Sequence, residues 1–131
     1  MKHPIPTPTD GELAILRVLW QLGAAATVHE VHGELLRHKD TAYTTVLKML
    51  TNMTEKGLVE RDESERRHRY TPRFQEPAVQ GSLVKSFISN AFAGSAFSMI
   101  QSALNSGAAS REELDKIARL IANARAKRTE Q

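Results

Sequence analysis

From Thr41 to Glu55 the chain reads TAYTTVLKMLTNMTE, with threonines at 41, 44, 45, 51 and 54 around a single lysine, Lys48, and a single asparagine, Asn52. At about 100° per residue, a helix here puts Val46, Met49, Leu50 and Met53 on one side. Thr44, Lys48, Thr51 and Glu55 fall on the other, flanked by Thr41 and Asn52. An ordinary solvated face is rich in Glu and Lys; this one is rich in hydroxyls. Short hydroxyl side chains let a helix come close to a phosphate backbone or a base edge. A threonine can also touch the thymine methyl, and asparagine can pair with adenine. The start of such a helix adds a partial positive charge and free amides. The candidate DNA-reading residues are therefore Thr41, Tyr43, Thr44, Thr45, Lys48, Thr51 and Asn52. The plainer alternative is that β-branched residues merely cap and tolerate the first turn.

A second cluster follows closely. Arg66-Arg67-His68-Arg69, then Arg73, places four arginines in eight residues with no acid among them. Period-two alternation puts His68 and Tyr70 on one face of a strand and Arg67 and Arg69 on the other. Tyr70 is then expected inward, with the arginines outward. A solvated charge run is the alternative, since Glu60, Asp62, Glu63 and Glu65 dilute the patch. Phosphate contact by Arg66, Arg67 and Arg69 is the better reading, because the cluster follows directly on the candidate reading helix.

Several elements must hold these residues. Residues 1–8, with three prolines, read as a disordered lead. Thr9 and Glu12 form a capping box, in which each side chain satisfies the other residue's backbone amide. Leu13, Leu16, Val18, Leu19 and Trp20 give the helix that follows its apolar face, and Gly23 ends it. A bridge at Ala24–Ala26 leads to a second box, Thr27 and Glu30, and a helix carrying Val28, Val31, Leu35 and Leu36. The third helix is expected from Thr41 to Lys56, stopping at Gly57. Leu58 to Asp62 suits a strand, Glu63–Glu65 a turn, and a second strand runs through Tyr70 to its end at Pro72. Three helices followed by two strands around a polar turn is the winged-helix plan. It fills residues 9–75.

From Glu76 small residues and helix formers dominate. Val79, Leu83, Phe87 and Ile88 mark one helix, and Phe92 leads to a break at Gly94. Ala96, Phe97, Met99, Ile100, Ala103 and Leu104 mark a second helix, ending near Gly107. Ser110 and Glu113 form a third capping box. The last helix carries Leu114, Ile117, Ala118, Ile121 and Ala124, and the charged tail from Arg125 is expected to fray. A segment of this length cannot enclose Leu83, Phe87, Phe97, Ile100, Leu104, Leu114, Ile117 and Ile121 by itself. These are the candidate dimerisation residues, and 76–131 the candidate dimerisation domain. The fold class is mainly α with a small antiparallel β wing: a winged helix-turn-helix domain plus a helical dimerisation domain.

TDGELAILRVLW, ATVHEVHGEL, TAYTTVLKMLTNMTEKGLVER and RRHRY, in that order, resemble the penicillinase repressor (BlaI/MecI/CopY) family over roughly residues 9–124. The resemblance implies a winged-helix N-terminal domain, a helical dimerisation domain and binding to palindromic operators. It places the recognition helix at Thr41 to Asn52 and the wing at Arg66 to Arg69. It also implies a regulatory protease of a sensor system as partner. The family's Asn-Phe scissile pair is not seen: an ungapped match from Gly94 to Ser110 puts Ser102-Ala103 there. The metal-sensing branch ends in a cysteine-rich motif, and this chain has no cysteine.

Composition narrows the remaining classes. Of 131 residues, 40% are hydrophobic, which suffices for a folded core, and the net charge of +3 is only mildly basic. Without cysteine there is no disulfide, thiolate metal site or cysteine nucleophile. No Gly-x-Ser-x-Gly elbow or Gly-rich phosphate loop is present, so no enzyme and no cofactor are expected. His29 and His32 could share a metal, but no third ligand is obvious and two ordinary histidines are the simpler reading. MKHPIPTPTD has no apolar h-region and no run approaches a membrane span, so a cytoplasmic protein without membrane association is expected. The expected partners are a double-stranded DNA operator and a second copy of the chain. Two other readings compete: a winged helix used only for protein–protein contact, and a regulator with an effector pocket in its helical half.

Overall fold

The computed structural model describes residues 4–130. Helix α1 is Asp10–Leu22. Its N-cap Thr9 and Glu12 form the reciprocal box: the Thr9 amide donates to Glu12 Oε1 at 2.8 Å and the Glu12 amide to Thr9 Oγ1 at 3.2 Å. Strand β1 is only Ala26–Thr27, and α2 is Val28–Leu36, capped by the same device through Thr27 and Glu30. Helix α3 is Tyr43–Lys56, ended by Gly57 at φ 86°, a conformation that favours glycine. Strands β2 (Val59–Asp62) and β3 (Arg69–Pro72) pair antiparallel, and β1 adds to the far side of β3, giving the order β1-β3-β2. Helices α4 (Glu76–Ala91), α5 (Ala96–Asn105) and α6 (Arg111–Glu130) follow.

Three helices and a small antiparallel sheet are thus the winged-helix plan, with corrections in detail. The Ala24–Ala26 bridge yields a strand, because Ala26 pairs with Tyr70 and Thr27 with Arg69. The wing turn runs from Glu63 to His68 rather than Glu63 to Glu65, so Arg66, Arg67 and His68 sit on a loop and not on a strand. Helix α3 begins two residues later than Thr41. The tail from Arg125 is helical to Glu130, with acids in the first turn of α6 and bases in its last, both favourable to the helix dipole. Of the lead expected to be disordered, residues 1–3 lie outside the described residues. Pro8 is buried, and the Thr7 carbonyl accepts from Lys56 Nζ at 3.1 Å.

The chain divides into two compact units at the Lys85–Ser86 boundary, inside α4. The first has one core: Ile15, Leu16 and Leu19 of α1, Val31 of α2, Val46, Leu50 and Met53 of α3, Leu58, and Tyr70 of the sheet. Trp20 closes its edge, donating from Nε1 to the Phe74 carbonyl at 3.1 Å. In the second unit Phe87 and Phe92 lie 5.6 Å apart between ring centroids, and Ala93 and Gly94 both take positive φ at the break between α4 and α5. Among the described residues no single helix is long and apolar enough to cross a membrane.

One polar contact ties α1 to the end of α3. Glu12 is 5% exposed and takes Lys56 Nζ at 2.7 Å. Burial pushes the Glu12 carboxyl up, but the Lys56 hydrogen bond and the Thr9 amide outweigh it and hold it below its ordinary value of 4.5. A depressed carboxylate contributes stability above that value and loses it as pH falls through the folded one. Glu12→Gln is therefore expected to cost about 1–2 kcal/mol at neutral pH. It should also flatten the fall of melting temperature below pH 4.5. A mutant with an acid limb as steep as the wild type's would show that other groups govern it.

Candidate nucleic-acid interface

The buried side of α3 sets where its other side must point. Val46, Leu50 and Met53 are fully buried, and Met49 is partly buried against the same core. Thr44, Lys48, Asn52 and Glu55 are exposed on the opposite side, as their spacing predicts. The start of α3 differs from that of α1 and α2. Its N-cap is Ala42, which supplies no side-chain cap, and its first turn holds no acid. The entry is fixed instead by His32, whose Nε2 lies 2.7 Å from the Thr41 carbonyl. A carbonyl only accepts, so the ring presents Nε2–H there. The same ring meets Tyr43 edge-on, with centroids 5.6 Å apart at 88°. His32 thus spends one ring nitrogen and one edge on positioning the helix.

The hydroxyl face is narrower than the sequence implies. Thr51 Oγ1 donates to the Leu47 carbonyl at 2.9 Å, and Thr41 Oγ1 to the Lys39 carbonyl at 3.3 Å. Their donors are thus engaged within the chain. Thr41 and Thr45 turn toward α1, lining a groove of about 740 Å³ with Asp10, Gly11, Ala14 and Val18. Thr44 and Lys48 remain at the centre of the outward face.

The wing is attached at its base and exposed at its tip. Asp62 accepts from the Ser64 amide at 2.9 Å, which opens the turn and lowers the Asp62 carboxyl below its usual range. Arg66, Arg67 and His68 are exposed on that turn. Arg69 keeps the expected outward face, opposite buried Tyr70, but finds partners there. It sits in β3 between Thr27 and Asp62, with Nη1 at 3.4 Å from both the Ala25 carbonyl and Glu30 Oε1. The Thr27 amide, and then its hydroxyl, already hold the Glu30 carboxyl below its ordinary value, and the charge of Arg69 adds to this. Arg73 lies over the Phe74 ring at 5.8 Å, away from the tip.

Helix α3 and the wing meet across a groove of about 370 Å³. Thr27, Val28 and His29 form one wall, Tyr43 and Leu47 of α3 another, and Arg66, Arg67, His68 and Tyr70 the third. The fold therefore brings Tyr43 to Arg66 and Arg67, residues that are far apart in the chain. Leu47 is a groove residue that the sequence reading misses. Its signal is present: it is apolar yet out of phase with Val46, Leu50 and Met53.

The predicted dimerisation residues lie on α4, α5 and α6. Leu83 and Ile117 are half-buried, while Phe87, Ile100, Leu104, Leu114 and Ile121 are exposed and Phe97 is 74% exposed. Neither α5 nor α6 holds a buried residue. Val84 and Leu120, which the apolar pattern does not single out, are exposed as well.

The family model described as the penicillinase repressor matches residues 8–123. A transcriptional regulator BlaI of Mycobacterium tuberculosis is 40% identical over 63 residues, covering 48% of this chain and 46% of that protein, so the match spans about half of that relative. A penicillinase repressor of Bacillus licheniformis is 26% identical over 117 residues, covering 89% of this chain and 91% of that one. The solution structure of Bacillus licheniformis BlaI in its monomeric form, bound to the blaP half-operator, superposes with a TM-score of 0.50 at 29% identity. It covers 60% of this chain and 93% of that chain. With a match across nearly its whole length and the winged-helix arrangement to go with it, the chain belongs to the penicillinase repressor family.

Proposed function

We propose that this chain is a transcriptional repressor that binds an inverted-repeat DNA operator as a homodimer and acts by binding, not catalysis. One observation carries the reading. Thr44 and Lys48 stand on the exposed side of a helix whose other side is locked in the core, and Arg66 and Arg67 flank that helix across a shared groove. A module that only docks onto proteins has no need of that pairing. Residues 9–75 hold the DNA, and residues 76–131 hold the second copy through the exposed apolar side chains of α4, α5 and α6. Two-fold closure is the commonest way to bury such a surface. It sets two recognition helices one DNA turn, or a multiple of it, apart. The protein then works in the cytoplasm, where its operator is.

The direct test is a gel shift on the DNA upstream of the chain's own gene, with an unrelated duplex as competitor. Retardation that the competitor removes equally well would leave only non-specific binding and overturn the reading. Within it, Arg67→Ala is expected to weaken binding on every sequence alike. It should also make the salt slope shallower by about one unit for each phosphate that the arginine neutralises. Arg69→Ala should move the slope less, because that guanidinium already faces Glu30 and the Ala25 carbonyl. A sequence-selective weakening from Arg67→Ala, with an unchanged slope, would make Arg67 a base reader.

A further inference from the structure

On the proposed reading, the exposed face of α3 carries an apolar edge that ordinary charge recognition leaves unexplained. Tyr43 is 44% exposed and Leu47, one turn on, is 42% exposed. Thr51, a further turn on, has its hydroxyl donor engaged by the Leu47 carbonyl. Positions 43, 47 and 51 form a row beside Thr44 and Lys48, because residues four apart stack on one face. Exposing a leucine to water on a helix with a complete core gains nothing for the fold. The edge borders the groove lined by His29, Arg66, Arg67 and His68, so the occupant it suits is a polyanion. A protein partner would have to place acidic groups against both arginines.

We propose that Leu47 is a specificity-determining residue that reads the 5-methyl group of a thymine in the major groove, with Tyr43 as its support. Of the groups the four base pairs show in that groove, the thymine methyl is the apolar one, so apolar side chains select it. Tyr43 suits the supporting role because its ring is held edge-on by His32, which is itself fixed to the Thr41 carbonyl. Leu47 then approaches the DNA from a stiff base, and the half-site carries a thymine at one fixed step from the base pair that Lys48 contacts.

The test begins with a duplex selected by the wild-type protein from a random-sequence library. Each thymine is then replaced singly by deoxyuridine, which removes the methyl and keeps every hydrogen-bonding group. Binding is followed by fluorescence anisotropy for the wild type, Leu47→Ala and Leu47→Met, with circular dichroism as a check on folding. At one thymine per half-site the wild type is expected to bind about fourfold more weakly for each methyl removed, the worth of one buried methyl. Leu47→Ala should be insensitive to deoxyuridine at that position and sensitive as before elsewhere, and Leu47→Met should recover the response. If Leu47→Ala responds as the wild type does, or no thymine matters, the assignment of Leu47 is overturned while operator binding stands. If Leu47→Ala changes the oligomeric state instead, the edge is a protein contact and the assignment likewise falls. A library that yields no enriched sequence would remove the proposed function itself, and this inference with it.

Discussion

Ile121→Asp is expected to turn the proposed dimer into monomers and to lower affinity for the full operator by about a hundredfold or more. Ile121 is exposed on α6, in a row with Leu114 and Ile117. A helix with such a stripe must bury it against something, and no residue of α6 is buried within the chain. A carboxylate placed in a surface shared by two copies would be desolvated twice, once per chain, without a partner. Because the position is exposed in the single chain, the substitution should leave helix content unchanged by circular dichroism. The weaker binding follows from linkage: joining two half-site readers makes the second contact intramolecular, and separation forfeits that effective concentration. Sedimentation and operator binding on the same sample decide the matter. A wild-type chain that sediments as a monomer at micromolar concentration, or a monomeric mutant that keeps full affinity, would break the proposed coupling.

Lys48→Ala should produce the second large effect. Lys48 is the one cation at the centre of the α3 face, and it stands a turn from Thr44. A good base contact is worth about 1–3 kcal/mol of discrimination, and a dimer makes each contact twice, once per half-site. The expected signature is a large drop in affinity on the selected duplex and a small one on random DNA, with preference relaxed at one position in each half. Equal drops on both would make Lys48 a phosphate ligand, and specificity would then rest on Thr44, Asn52 and the apolar edge of α3.

The parts of this structure that the sequence announces are those whose chemistry is local. The boxes Thr9/Glu12 and Thr27/Glu30 close between residues three apart, so they form as their spacing implies. The buried side of α3 obeys its period because one helix face lies wholly against one core. Several of the misses are non-local. Strand β1 has no pattern of its own, and its two residues become a strand only because β3 arrives beside them. Alternation places Arg69 outward but knows nothing of its partner Glu30, far away along the chain. Arg67 and His68 read as strand residues by alternation, whereas the turn that Asp62 opens keeps them outside the ladder. Leu47 escapes a division of positions into core and polar, because its place is set by the groove that the wing completes.

The two ends of the wing obey different rules, and this has a consequence for re-engineering the protein. Tyr70, locked between Ala26 and Arg61, and Arg69, held against Thr27, form a fixed socket. The turn from Glu63 to His68 projects from it as an exposed cartridge. Its length and charge are open to exchange for another winged-helix tip without rewriting the three helices beneath. On the proposed reading, a graft that keeps Asp62, Arg69 and Tyr70 as its splice points is expected to change how tightly the protein grips DNA. The bases selected would, on the same reading, stay encoded in α3.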